Sequence, residues 1–122
     1  MKPLLIVGIG GAIGSICRYL AQVYIGKYTT LTFPIGTLVV NITGCFLIGL
    51  LFGLSSKHAW LTMEWRLFLI TGICGGYTTF SSFSLESITL FRNGNYTYFL
   101  IYALGSTILG LLATVGGSAI IR

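Results

Sequence analysis

The sequence predicts an all-α integral membrane protein with four transmembrane helices, the third of them broken. Three observations carry that prediction. The 122 residues are 55% hydrophobic and only 7% charged, with a mean hydropathy of +0.94. The apolar residues gather into four stretches, each near or above the ~20 residues needed to cross a bilayer. Inside the third stretch stands Gly75-Gly76-Tyr77-Thr78-Thr79-Phe80-Ser81-Ser82-Phe83. Two glycines and a run of hydroxyl residues among aromatics disfavour a continuous helix there.

Composition excludes several function classes. A soluble domain carries roughly 25% charged residues, and this chain has too little polar surface to clothe a globule in water. Its length suits one compact domain, residues 1–122. The net charge of +5 comes from seven Lys and Arg against two acids, but the basic residues are scattered singly. No basic run or basic helix face forms, so nucleic acid is not an expected partner. Lipid headgroups and a permeant anion fit the surplus better. Cys17, Cys45 and Cys74 lie in different apolar stretches without a C-x-x-C pair, and there is one His. They read as small apolar side chains rather than zinc ligands. Lys2 precedes an apolar run, as in a signal peptide, but that run continues past Gly14 without a clear small-x-small cleavage site.

The stretches are residues 3–25, 33–54, 65–91 and 98–121. Gly26-Lys27-Tyr28-Thr29-Thr30, Ser55-Ser56-Lys57-His58 and Arg92-Asn93-Gly94-Asn95 connect them. Such short links predict that consecutive helices are antiparallel neighbours. Tyr24, Tyr28, Trp60, Trp65, Tyr96 and Tyr98 fall near stretch ends, where interfacial anchors sit.

Stretch one opens on Gly8-Ile9-Gly10-Gly11-Ala12-Ile13-Gly14-Ser15. A dinucleotide fingerprint is excluded, because the third glycine is displaced and no acid follows until Glu64. The pairs Gly8/Ala12, Gly10/Gly14 and Gly11/Ser15 instead let helices approach closely. Arg18 lies deep in the stretch. It either snorkels to an interface or places a positive charge at the mouth of an anion route.

In stretch two, Thr37, Asn41, Gly44 and Ile48 share one helical face. An intramembrane Asn needs partners, either another helix or a passing anion. Asn41-Ile42-Thr43 and Asn95-Tyr96-Thr97 match the glycosylation pattern, but the first is buried in lipid and the second carries little information.

Stretch three, as one helix, would run about 40 Å against a hydrocarbon core of about 30 Å, which leaves length for a central break. Non-helical backbone at that depth is tolerated only against protein or a water-filled cavity, so the break is a candidate ion or substrate site. Beyond it, Phe80, Phe83 and Ser87 form one ridge, and Thr79, Ser82 and Glu86 another. Glu86 is the one acid within an apolar stretch, a functional candidate by default or an end-of-helix residue near Arg92. In stretch four, Tyr102, Ser106, Gly110 and Thr114 follow one another at four-residue spacing as a slowly winding polar ridge.

Four crossings put both termini on one side, with Lys2, Lys57, Arg66 and Arg122 there and Lys27 and Arg92 opposite. That positive-inside bias is weak. A chain with little bias can insert both ways, and two opposed copies then form an antiparallel dual-topology homodimer.

Taken together, Gly76-Tyr77-Thr78-Thr79-Phe80-Ser81-Ser82-Phe83, Gly36-Thr37-Leu38-Val39-Val40-Asn41-Ile42-Thr43-Gly44 and the glycine-rich run ending at Arg18-Tyr19 resemble the Fluc/CrcB fluoride channel family. The resemblance covers essentially the whole chain. It implies a passive fluoride channel of the bacterial inner membrane that exports cytoplasmic fluoride. It further implies two pores in an antiparallel homodimer and a central structural Na+ held by the backbone carbonyls of Gly75 and Thr78. By the same resemblance Asn41 donates to fluoride and Phe80 and Phe83 form a phenylalanine box. Ser81, Ser82 and Glu86 lie along the path, Tyr102, Ser106 and Thr114 form a polar track, and Arg18 shapes a vestibule. The family's usual Thr is Ser82 here, which keeps the hydroxyl, and its track commonly has a serine where this chain has Gly110.

The chemistry agrees with the residues. Fluoride is small and strongly hydrated, so a pore must replace its water with close donors; amide, hydroxyl and electropositive ring edges supply them. The rival reading is a small dual-topology proton-coupled multidrug antiporter. That carrier needs a membrane-embedded carboxylate, classically in its first helix, where this chain has Arg18 and no acid. A non-catalytic assembly factor would not need the break. An enzyme is not expected, because no constellation of nucleophile, base and metal is present.

Overall fold

The computed structural model describes residues 1–29 and 32–121. Thr30 of the first link and Arg122 of the positive-inside count lie outside the described residues. Five helical elements follow one another: α1 (Lys2–Gly26), α2 (Ile35–Lys57), α3 (residues 63–77), α4 (Phe80–Arg92) and α5 (Tyr96–Ile120). α1, α2 and α5 are each long and apolar enough to cross a membrane. Residues 63–92 make the remaining crossing as two half-helices. The start of α3 lies beside the start of α1, where Lys2 and Glu64 pair at 2.8 Å. The end of α4 packs at the other end of the molecule, where Phe91 meets Tyr96 and Phe99, and Tyr98 meets Phe33. Both described ends of the chain therefore share a side, as four crossings require. The protein is an integral membrane protein with several apolar helices.

The packing adds to one expectation. Consecutive helices do run in opposite directions, but the most extensive packing joins alternate, parallel ones: α2 with α5, and α1 with α3. Small residues make both seams. A Cβ on Gly10 would stand 2.6 Å from the Phe68 carbonyl, and one on Gly76 2.5 Å from the Gly11 carbonyl. Gly14 is pressed against the Ile73 carbonyl in the same way. Across the second seam, Gly49 faces the Thr114 carbonyl and Gly117 the Phe46 carbonyl. Of the expected small-residue pairs, Gly10/Gly14 is the seam itself, whereas a Cβ on Gly8 would meet nothing.

The break also differs from expectation. Gly75 and Gly76 are helical, Gly75 with φ −62° and ψ −38°. The chain leaves the helix at the two threonines, Thr78 (φ −83°, ψ 157°) and Thr79 (φ −146°, ψ 121°). β-branched residues prefer that extended region. Gly76 serves the α1–α3 contact, where a side chain has no room, whereas Gly75 faces the cavity described below. A second departure precedes the break. Residues Leu67–Cys74 widen into π-helical geometry, a feature that concentrates at functional sites and that composition does not announce. Gly94, with φ +80°, makes the turn between α4 and α5.

Candidate functional site at the helix break

Four elements converge where α3 ends and α4 begins. Thr79 is the N-cap of α4: its Oγ1 accepts from the Ser82 N–H at 3.2 Å. Asn41, on α2, holds the same residue by its backbone. Its Nδ2 donates to the Thr79 carbonyl at 2.9 Å, and its Oδ1 accepts from the Thr79 N–H at 2.8 Å. A paired amide contact of this kind satisfies two backbone groups that the break would otherwise leave bare within the membrane. Arg18 closes the other side, with its Nε donating to the Gly76 carbonyl at 3.2 Å. That is a cation on the C-terminal end of a half-helix, where the dipole favours it. Arg18 is thus half-buried and bonded to the break.

A cavity of about 390 Å³ opens beside these residues. Asn41, Gly44 and Ile48 line it from α2, Gly75, Thr78, Phe80 and Phe83 from the third crossing, and Ser106, Gly110 and Thr114 from α5. The α2 face read from the sequence is therefore a cavity wall, with Thr37 buried beyond it. Phe80 and Phe83 have ring centroids 5.8 Å apart, and Phe83 lies 5.1 Å from Tyr102. Phe80 is 79% exposed on the single chain, so its ring is free to face ions, lipid or a second protein.

The hydroxyls divide into two groups. Thr78 and Thr114 donate back into their own helices, to the Cys74 and Gly110 carbonyls. Ser87 does the same with Phe83. The Ser106 Oγ is buried and makes no hydrogen bond within the described residues, although it belongs to a residue that lines the cavity. An unpartnered buried hydroxyl costs about 1–3 kcal/mol, which a ligand or water in the cavity would offset. Ser81 contacts the Thr79 hydroxyl at 3.4 Å. Ser82 takes part through its N–H. Glu86 lies about two α4 turns beyond the cap and accepts from the fully buried Tyr102 hydroxyl at 3.0 Å, so it is more than an end-of-helix residue. Tyr102 is the member of the α5 ridge that turns away from the cavity, toward Glu86 and Phe33.

Sequence reading missed Gln22. Its Nε2 donates to Thr37 Oγ1 at 3.0 Å and ties α1 to α2. The signal was present: Gln22 follows Arg18 by four residues, so both sit on one face of an apolar helix. The Thr43–Tyr77 hydroxyl contact at 2.9 Å was missed as well. The three cysteines are free thiols. Cys74 is buried and Cys45 half-buried, as small apolar side chains would be, whereas Cys17 is exposed.

Membrane-crossing helices, a helix broken at mid-chain and a part-polar cavity at the break define an integral membrane protein built around a candidate permeation site. Residues 5–118 match the family model described as CrcB-like protein, Camphor Resistance (CrcB). Proteins named fluoride-specific ion channel FluC are similar along nearly their whole length. The one from Azobacteroides pseudotrichonymphae is 46% identical over 117 residues, 96% of this chain and 94% of its own. The one from Flavobacterium psychrophilum is 45% identical over 122 residues, 100% and 98%. The one from Koribacter versatilis is 38% identical over 122 residues, 100% and 97%. The chain belongs to the CrcB family, a family of channels rather than enzymes.

Proposed function

We propose that this chain is a fluoride-selective channel of the bacterial inner membrane, conducting passively through two pores of an antiparallel dual-topology homodimer. The observation that carries the reading is the convergence of Asn41, Phe80, Phe83, Ser106 and Thr114 on one cavity, in a chain so similar to proteins named fluoride-specific ion channels. A small anion needs donors at close range to replace its water. Asn41 keeps one amide N–H beyond the clasp on Thr79, Ser106 has a hydroxyl without a partner among the described residues, and the phenylalanine edges are electropositive. The exposed apolar residues, Phe80 among them, support a second copy or lipid against this face.

A central Na+ fits the residues. Hard cations take oxygen ligands, and carbonyls at a helix break are suited to them. Gly75 and Thr78 both line the cavity, and Thr78 has left helical geometry. Their carbonyls would hold the ion, whose charge would fix the break and favour an anion nearby. A two-fold partner would double the donor set.

The proton-coupled carrier finds no support. α1 carries no acid, and Glu86 is bonded to Tyr102. The test is a fluoride-electrode recording of purified protein in liposomes. Rapid fluoride release with little chloride release is expected; equal release of both would overturn selectivity.

A further inference from the structure

We propose that Asn41 and Thr79 are positioning residues that build the cation's donor set, by removing the helix donors from the Gly75 and Thr78 carbonyls. The inference rests on the cation reading above and adds the device that creates the site.

The argument follows the backbone rungs. α3 is closed by Thr78 N–H donating to the Cys74 carbonyl at 3.0 Å. In a continuous helix the next rung would run from Thr79 N–H to the Gly75 carbonyl. Asn41 Oδ1 takes that N–H instead. Three residues on, Ser82 N–H would donate to the Thr78 carbonyl. Thr79 Oγ1 takes that one. Two side-chain oxygens thus divert the two N–H groups that helical geometry would aim at these two carbonyls. The carbonyl between Gly75 and Tyr77 is treated differently, since Gly76 accepts from Arg18. Within one turn of chain the Gly76 carbonyl is taken by a guanidinium, while the Gly75 and Thr78 carbonyls have lost their helix donors. Asn41 also donates to the Thr79 carbonyl, which locks the extended backbone that makes the diversion possible.

Asn41 consequently serves two sites through different atoms. Its clasp shapes the cation's oxygens, and its remaining N–H belongs to the cavity where Phe80 and Phe83 stand. Loss of Asn41 should then abolish fluoride conduction for two separable reasons.

The experiment reads cation binding apart from flux. Thermal unfolding of detergent-purified protein is followed while Na+ replaces N-methylglucamine at constant ionic strength; an ion that binds only the folded protein raises Tm with concentration. The wild-type chain should show a saturable Na+ rise. N41A should shift the half-maximal Na+ concentration upward by about tenfold or more, the scale of outer-shell losses at metal sites. T79A should shift it in the same direction by less, because Asn41 still holds the Thr79 backbone. F83I, which touches neither diversion, should lose fluoride flux and keep the wild-type midpoint. If the wild-type chain shows no Na+ dependence, the cation reading falls and this inference with it. If it does and T79A keeps an unchanged midpoint, the inference alone is overturned, whether or not N41A folds. A folded N41A with the wild-type midpoint overturns it equally.

Discussion

The two halves of the third crossing carry similar aromatics but different small residues, three glycines and one threonine in residues 63–77 against five serines and threonines and no glycine in Phe80–Arg92, and they do opposite things. The first half, residues 63–77, is pressed against α1 through backbone-to-backbone contacts at Gly10, Gly14, Gly72 and Gly76. The second, Phe80–Arg92, begins on a capping threonine, leans on α5 through Glu86–Tyr102 and Phe83–Tyr102, and leaves Phe80 exposed. One half is held by shape and the other by a few directional bonds. A membrane interior offers little hydrophobic drive between helices, so close packing and polar contacts are the two means available. The break lets one crossing use both. Its rigid half anchors the cavity, and its lightly held half presents aromatic and hydroxyl groups to it.

That contrast can be broken most severely in the rigid half. Gly14→Val puts a branched side chain against the Ile73 carbonyl and the Tyr77 N–H, backbone that cannot yield. Overpacking of this kind should cost more than about 3 kcal/mol. Little monodisperse protein is expected on size-exclusion chromatography, and a wild-type profile would disprove the seam.

In the second half, losses should be graded. Tyr102→Phe removes the hydroxyl from Glu86 and should lower stability by about 1–3 kcal/mol, read as a fall in Tm in detergent. Glu86→Gln keeps an acceptor and should recover most of it; equal losses in the two variants would remove that bond from the account. Thr79→Ala removes the α4 cap and should cost about 1 kcal/mol, with Thr79→Ser close to wild type.

Phe80→Ile should change Tm hardly at all, given the ring's exposure on the single chain, while lowering fluoride efflux from liposomes severalfold. Unchanged efflux would take Phe80 out of the pathway. The smallest effect is expected at Gly110→Ser. A Cβ there would meet only the Cys45 Sγ at 3.4 Å, so a Tm within about 0.5 kcal/mol of wild type should accompany a fourth hydroxyl-bearing rung on α5. A large loss would show that this helix seam is as tight as that between α1 and α3.

Much of this was legible before any coordinates. The four apolar stretches match the four crossings, because a bilayer demands long runs of apolar residues. The Asn41 face, the Ser106 ridge and the break itself were visible as polar side chains that hydrocarbon does not tolerate unpaired. Their partners were not visible. The sequence points to the glycine pair as the break, because glycine is locally permissive and nothing in one dimension shows that α1 lies against Gly76. Gln22 is legible only through its four-residue spacing from Arg18, and nothing in the sequence pairs it with Thr37.

The sequence by itself determined membrane residence, the number of crossings and the residue types available at the break, since those follow from local hydropathy and spacing. Only the tertiary structure decided that the chain breaks at Thr78 and Thr79, that Arg18 meets Gly76, and that Asn41 takes the Thr79 N–H. Each depends on which helices lie against α3 and the start of α4, α1 for Arg18 and α2 for Asn41. That choice is made by backbone shape and hydrogen-bond pairing between helices far apart in the chain, and one-dimensional patterns do not record it.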